Sequence, residues 1–236
     1  MHKNIKFLGI IQPGRIGDII ICLPIAEYYK SKGYDIIWPV DRDIIKNFKG
    51  YISYVHFIET DFNVTKSIDI CLKLGCNHII NLTFRLPGQY SNFNDSIFQQ
   101  SSFHFDELKY KIANVSFKRK YHLNISRNYA KENSLFNSLN IIENNYAITH
   151  TQGSDNYNAV YDKRIVKDLT LIEINTCTES VFDWILVLEK AKVIITVDSC
   201  FANLCNQLKI QKNKYFLKRP HPNVAPSISK DWIIIE

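Results

Sequence analysis

Arg15, Gly17 and Asp18 stand together in QPGRIGDIIICLPIAEYYKSKG (residues 12–33), where a Gln-Pro-Gly turn opens onto a long apolar run interrupted by Pro24. A carboxylate at the mouth of a helix has two uses. It stabilises the free backbone N–H groups there, worth about 1 kcal/mol, or it accepts a proton from a hydroxyl as a general base. An arginine beside it is a solvated turn residue or a planar fork for phosphate oxygens. The second chemically loaded stretch is DSCFANLCNQL, residues 198–208. Asp198 and Ser199 are preferred helix caps, and the same turn, with Cys200 and Asn203, has the form of an anion site at a helix start. Ser154, in THTQGSDN (149–156), belongs to a Gly-containing loop of the anion-binding kind, whereas His150 reads as a hydrogen-bonded structural residue. Lys163 and Arg164 in YDKR are surface charges or phosphate partners, and Glu59 with Asp61 forms a second carboxylate pair.

These residues need elements to position them. Apolar β-leaning runs at 3–11, 34–40, 54–60 and 78–84 alternate with helical patterns at 16–32, 42–50 and 63–76. Pro24 should kink the first helix, and Gly33 should stop it. The alternation lapses over 85–123, an aromatic and Asn/Ser-rich stretch of long loops with one helix near 106–115. It resumes with a connecting helix at 129–141, strands at 144–150, 169–174, 192–197, 214–217 and 232–235, and helices at 180–191 and from 198. Strand–helix alternation predicts an α/β fold of parallel β-α-β units. We place the division at 1–130 and 131–236, with the second lobe distinctly smaller. Ligands in open α/β sheets bind beyond the carboxyl ends of the strands, and residues 14–18, 150–154 and 198–203 all fall there. A cleft between the two lobes is therefore the expected anion site.

The 236 residues are 46% hydrophobic and 13% aromatic, enough for a proper core. A net charge of +6 favours anionic partners such as phosphates, nucleotide sugars or acidic head groups. The longest basic cluster, SFKRKYH at 116–122, is too short for a nucleic-acid arm, so nucleic acid is not an expected partner. Six cysteines contain no C-x-x-C pair and no zinc spacing, which suits a reduced, cytoplasmic setting without a protein-bound metal. No apolar stretch reaches the roughly 18 residues of a membrane span. Peripheral membrane contact and a homodimer both stay open.

RIGDIIICLPIAEYYKSKG resembles the amino-terminal signature of glycosyltransferase family 9, the heptosyltransferase-like enzymes, in which Gly-Asp is followed by five residues and a proline, as Gly17, Asp18 and Pro24 are here. SVFDWILVLEKAKVIITVDSCFANLCNQL (180–208) is similar to the family's late helix, strand and Asp-Ser/Thr-Gly turn. The resemblance implies the GT-B architecture, two Rossmann-like lobes facing a central cleft, here with a reduced second lobe. It implies an inverting, metal-independent enzyme with no cofactor, which moves a heptose-like sugar from a nucleotide-diphosphate donor to a glycan or lipopolysaccharide-type acceptor. Asp18 is then the catalytic base. Arg15, Gly17, Ser154, Lys163, Arg164, Asp198, Ser199, Cys200 and Asn203 are then the donor- and phosphate-binding set. The sequence departs from the family turn at Cys200 and Asn203, which stand where Gly and His are usual. The alternatives are a non-catalytic carbohydrate- or nucleotide-binding relative and a sugar-nucleotide epimerase.

Overall fold

The run KFLGII, apolar after its first lysine, has no polar face to offer solvent, and such a strand belongs inside a parallel sheet covered on both sides. It forms β1 (Lys6–Ile11), whose last four residues are buried. The computed structural model describes residues 6–84, 104–153, 157–175, 177–219 and 226–236. The chain divides into two units, Met1–Ser126 and Arg127–Glu236.

In the first unit β1 is joined by β2 (Tyr34–Asp41), β3 (Val55–Thr60) and β4 (His78–Asn81) in a parallel sheet of order β3-β2-β1-β4. The register pairs Lys6 with Tyr34, Leu8 with His78 and Ile36 with Val55. Helix α1 (Ile16–Ser31) is buried continuously from Asp18 to Ala26, so it is a core helix rather than an amphipathic one. It packs on β2 and is covered by α3 (Phe105–Ile112) and the 3₁₀ turn Phe117–Tyr121. Pro24 lies inside α1 without ending it, and the Tyr110 hydroxyl donates to the nearby Ile21 carbonyl at 2.9 Å. The helix stops at Gly33, whose φ of 87° is the left-handed conformation that favours glycine. Helix α2 (Val64–Lys73) completes the unit, capped by the Asn63 side chain.

Two expected helices are corrected. Residues 42–50 hold only a 3₁₀ turn, Ile45–Asn47, because the Asp41 side chain and carbonyl capture the Asp43 and Ile44 amides and bend the chain at once. Residues 180–191 split into a 3₁₀ turn, Val181–Trp184, and a short α5, Ile185–Lys190. Phe182 and Trp184 are both buried. Residues two apart diverge by about 160° on an α-helix but only about 120° at three residues per turn, so the tighter coil brings both rings inward.

The second unit is a parallel sheet of order β6-β5-β7-β8-β9, built from Tyr146–His150, Thr170–Glu173, Val193–Val197, Asn213–Leu217 and Trp232–Ile235 for β5 to β9. Its core gathers Ala147, Val166, Val193, Ile195, Val197 and Leu217. Helices α4 (Tyr129–Ser138), α5 and α6 (Cys200–Gln207) are short. Among the described residues the β5–β6 crossover carries only the 3₁₀ turn Lys163–Val166. Arg127 ties α4 to α5 through Glu132 and Glu189, the latter at 2.8 Å.

Candidate functional site

The turn after β1 is fixed from several directions. Buried Gln12 donates from Nε2 to the Gly14 carbonyl at 2.9 Å, and its own carbonyl accepts from Trp38 Nε1 at 3.0 Å. Gly14 packs so tightly that an added Cβ would sit 2.0 Å from Phe62 Cδ2. Arg15 follows at φ 62° and ψ 114°, exposed, in a region that side-chain-bearing residues rarely occupy. Such local strain occurs most often where a site constrains the backbone.

Asp18 is the third residue of α1, beyond the half-buried Gly17, and is only 9% exposed. It is not the helix cap, since Arg15 holds that place without a side-chain cap bond. Instead its Oδ1 faces the Lys109 ammonium at 3.6 Å. Lys109, 1% exposed, donates to Gln12 Oε1 at 2.6 Å and to the Leu82 carbonyl at 2.7 Å, with the Phe84 ring centroid 4.8 Å away. Sequence reasoning missed Gln12 and Lys109. A signal existed, because Phe105, Leu108, Lys109 and Ile112 follow the i, i+3, i+4, i+7 spacing of an apolar stripe, on which a lysine is out of place. The neighbouring Cys22 thiol is pushed up to about 12 by burial and is no nucleophile.

In the second unit, Asp198, Ser199, Cys200 and Asn203 share the turn from β7 into α6. Ser199 caps the helix, its Oγ accepting from the Ala202 amide at 3.4 Å, while Asn203 Nδ2 donates to the Ser199 carbonyl at 3.1 Å. Asn203 Oδ1 is buried without a hydrogen-bond partner among the described residues. Arg219, just past β8, donates to the Asp198 carbonyl at 2.6 Å. His150 ends β5 with its ring 5.1 Å from that of Phe201. His150 Nδ1 is buried and meets no partner among the described residues. Burial, and secondarily the Arg219 charge, hold its pKa below the ordinary value. Burial likewise pushes the Cys200 thiol up to about 12. Arg219 carried no sequence signal, being one cation in a loop.

The remaining candidates stand elsewhere. Lys163 and Arg164 are exposed on the β5–β6 crossover, and Arg164 is turned to Asp162 at 2.5 Å. Ser154 lies outside the described residues. Asp61 is an exposed surface group shared by Arg42 at 2.7 Å and Lys66 at 2.6 Å, with Lys66 first and Arg42 second lowering its pKa. Among the described residues no group of three or more His, Cys, Asp or Glu side chains could hold a metal, and no helix is long and apolar enough to cross a membrane.

No protein-family model matches the sequence, and no curated protein matches it. Solved structures do match. A glycosyl transferase family 9 protein from Veillonella parvula aligns over 98% of this chain and 85% of its own, at 11% identity and a TM-score of 0.61. The ADP-heptose lipopolysaccharide heptosyltransferase II of E. coli aligns over 98% and 90%, at 12% identity and a TM-score of 0.60. The iron-containing dodecameric glycosyltransferase TibC of enterotoxigenic E. coli aligns over 98% of this chain and 62% of its own, at 14% identity and a TM-score of 0.57. The fold of this chain is thus that of the heptosyltransferase-like, GT-B-type glycosyltransferases.

Proposed function

We propose that the protein is an inverting glycosyltransferase that moves a heptose-like sugar from a nucleotide-diphosphate donor to a glycan or glycolipid hydroxyl, without an essential metal. The observation that carries this reading is Asp18. It is a nearly buried carboxylate at the carboxyl end of β1, faced by a lysine, at the family 9 signature position in a chain with the fold of those enzymes. In this reading the first unit binds the acceptor. Asp18 takes the proton of the attacking hydroxyl as its oxygen bonds to the anomeric carbon, and the nucleoside diphosphate leaves with the electrons of the broken C–O bond. Arg15 offsets the charge that develops on the leaving group. The second unit binds the donor at the head of α6, where Ser199, Cys200, Asn203 and the cationic Arg219 gather. Lys163 contributes a further positive charge. Two solved relatives of this fold are described as complexes with ADP or ADP-heptose, which makes an ADP-linked heptose the first donor to try.

The test is thermal unfolding against saturating ADP, GDP, UDP and CMP, followed by turnover of ADP-heptose. A stabilisation specific to ADP together with sugar transfer supports the reading. Stabilisation by none of the four nucleotides removes the donor assignment. One observation favours a non-catalytic nucleotide-binding relative: the turn carries Cys200 and Asn203 where the family's glycine and histidine are usual. ADP binding with no turnover, unaltered by Asp18→Asn, would select that alternative.

A further inference from the structure

Lys109 is a buried charge to which the transfer reading gives no task. An ammonium inside a protein is costly unless it is paired and hydrogen-bonded. Two of its three N–H donors go to Gln12 Oε1 and the Leu82 carbonyl. Both acceptors are themselves fixed, Gln12 by Trp38 and Gly14, and Leu82 by its amide bond to the Ile11 carbonyl at 2.9 Å. The ammonium is therefore located by the end of β1, the residue following β4 and helix α3 together. The other charged groups packed here are already balanced or neutral. Asp106 takes Lys120 at 2.5 Å, both fully buried, and Cys22 remains a thiol. Asp18 is the carboxylate that Lys109 faces, and the contact is made through Oδ1.

We propose that Lys109 is the positioning residue of the Asp18 base: its fixed ammonium holds Oδ1 in one orientation and leaves Oδ2 to receive the hydroxyl proton, without touching substrate itself. This rests on the reading of Asp18 as the base. The pair stands beyond a strand's carboxyl end, where ligands of this sheet type bind, and that position distinguishes it from a salt bridge kept for the fold alone.

Lys109→Met removes the ammonium, and Lys109→Gln removes the charge while keeping an amide donor for Gln12 and Leu82. Turnover of ADP-heptose, read as ADP release, is measured for the native protein and both variants, alongside thermal unfolding with and without ADP. In both variants kcat should fall about tenfold or more, with KM for ADP-heptose and the ADP-dependent rise in unfolding temperature unchanged. If Lys109→Met does not fold, Lys109→Gln carries the test. Native kcat in a folded variant overturns the proposal, as does a loss confined to KM. Absence of turnover in the native protein instead defeats the base reading, and this proposal with it.

Discussion

The single residue on which the functional reading turns is Asp18, and its surroundings are not those of a helix cap. A carboxylate kept only for the helix dipole belongs in solvent at the cap, where it contributes about 1 kcal/mol. This one is nearly buried and faces an internal ammonium. Asp18→Asn should therefore lower turnover of ADP-heptose by about 10²–10⁴-fold, while ADP still raises the unfolding temperature. Equal turnover in the variant would return Asp18 to a structural role. A second residue-scale prediction concerns His150. Burial and Arg219 hold its folded pKa below 6.5, so the unfolded chain takes up a proton first as pH falls. Stability should be intact above about pH 6.5 and decline below it, towards the folded value. His150→Gln should flatten that decline in thermal unfolding measured from pH 7.5 to 5.

At the scale of elements, α3 carries more than its eight residues suggest. One of its faces supplies Lys109 to the Asp18 turn, and its Asp106 pairs with Lys120 of the neighbouring 3₁₀ turn, both at 0% exposure. Removing one partner of a buried ion pair leaves an uncompensated charge. Lys120→Met should cost about 3–5 kcal/mol, measured by urea unfolding, and should lower activity only in proportion to the folded fraction. A fall in kcat without loss of stability would show that α3 does not separate its two tasks. Helix α6 shows a different economy. Its cap is made locally by Ser199, whose Oγ accepts from the Ala202 amide and keeps its O–H to donate to an anion held beside the free backbone N–H groups.

At the scale of the whole molecule, two parallel sheets of four and five strands carry the fold, with only short helices on the second among the described residues. In the proposed reading the donor site is the β7–α6 turn, which the five-stranded sheet positions. ADP at about 100 times its dissociation constant should add roughly 2.7 kcal/mol. For a chain of 236 residues that is a rise of about 5–10 °C in the unfolding midpoint. A flat response would place the loss in the thinned second unit.

All nine strands among the described residues were legible in the sequence, because parallel strands buried on both faces appear as short apolar runs between turn residues. So were Asp18 and the β7–α6 turn, since strand ends and helix starts carry their own local signals. The helices at 42–50 and 180–191 were misjudged where side-chain capture by Asp41 and the inward packing of Phe182 and Trp184 overrode local periodicity. What the sequence by itself determined was the order of the elements and the carboxylate at the head of α1. Only the tertiary structure decided that Lys109, 91 positions away, is that carboxylate's partner, and that Arg219 meets Asp198. Periodicity reports which face of an element is buried. It does not report which distant charge shares that burial, because the pairing is set by how the sheet brings its connections together.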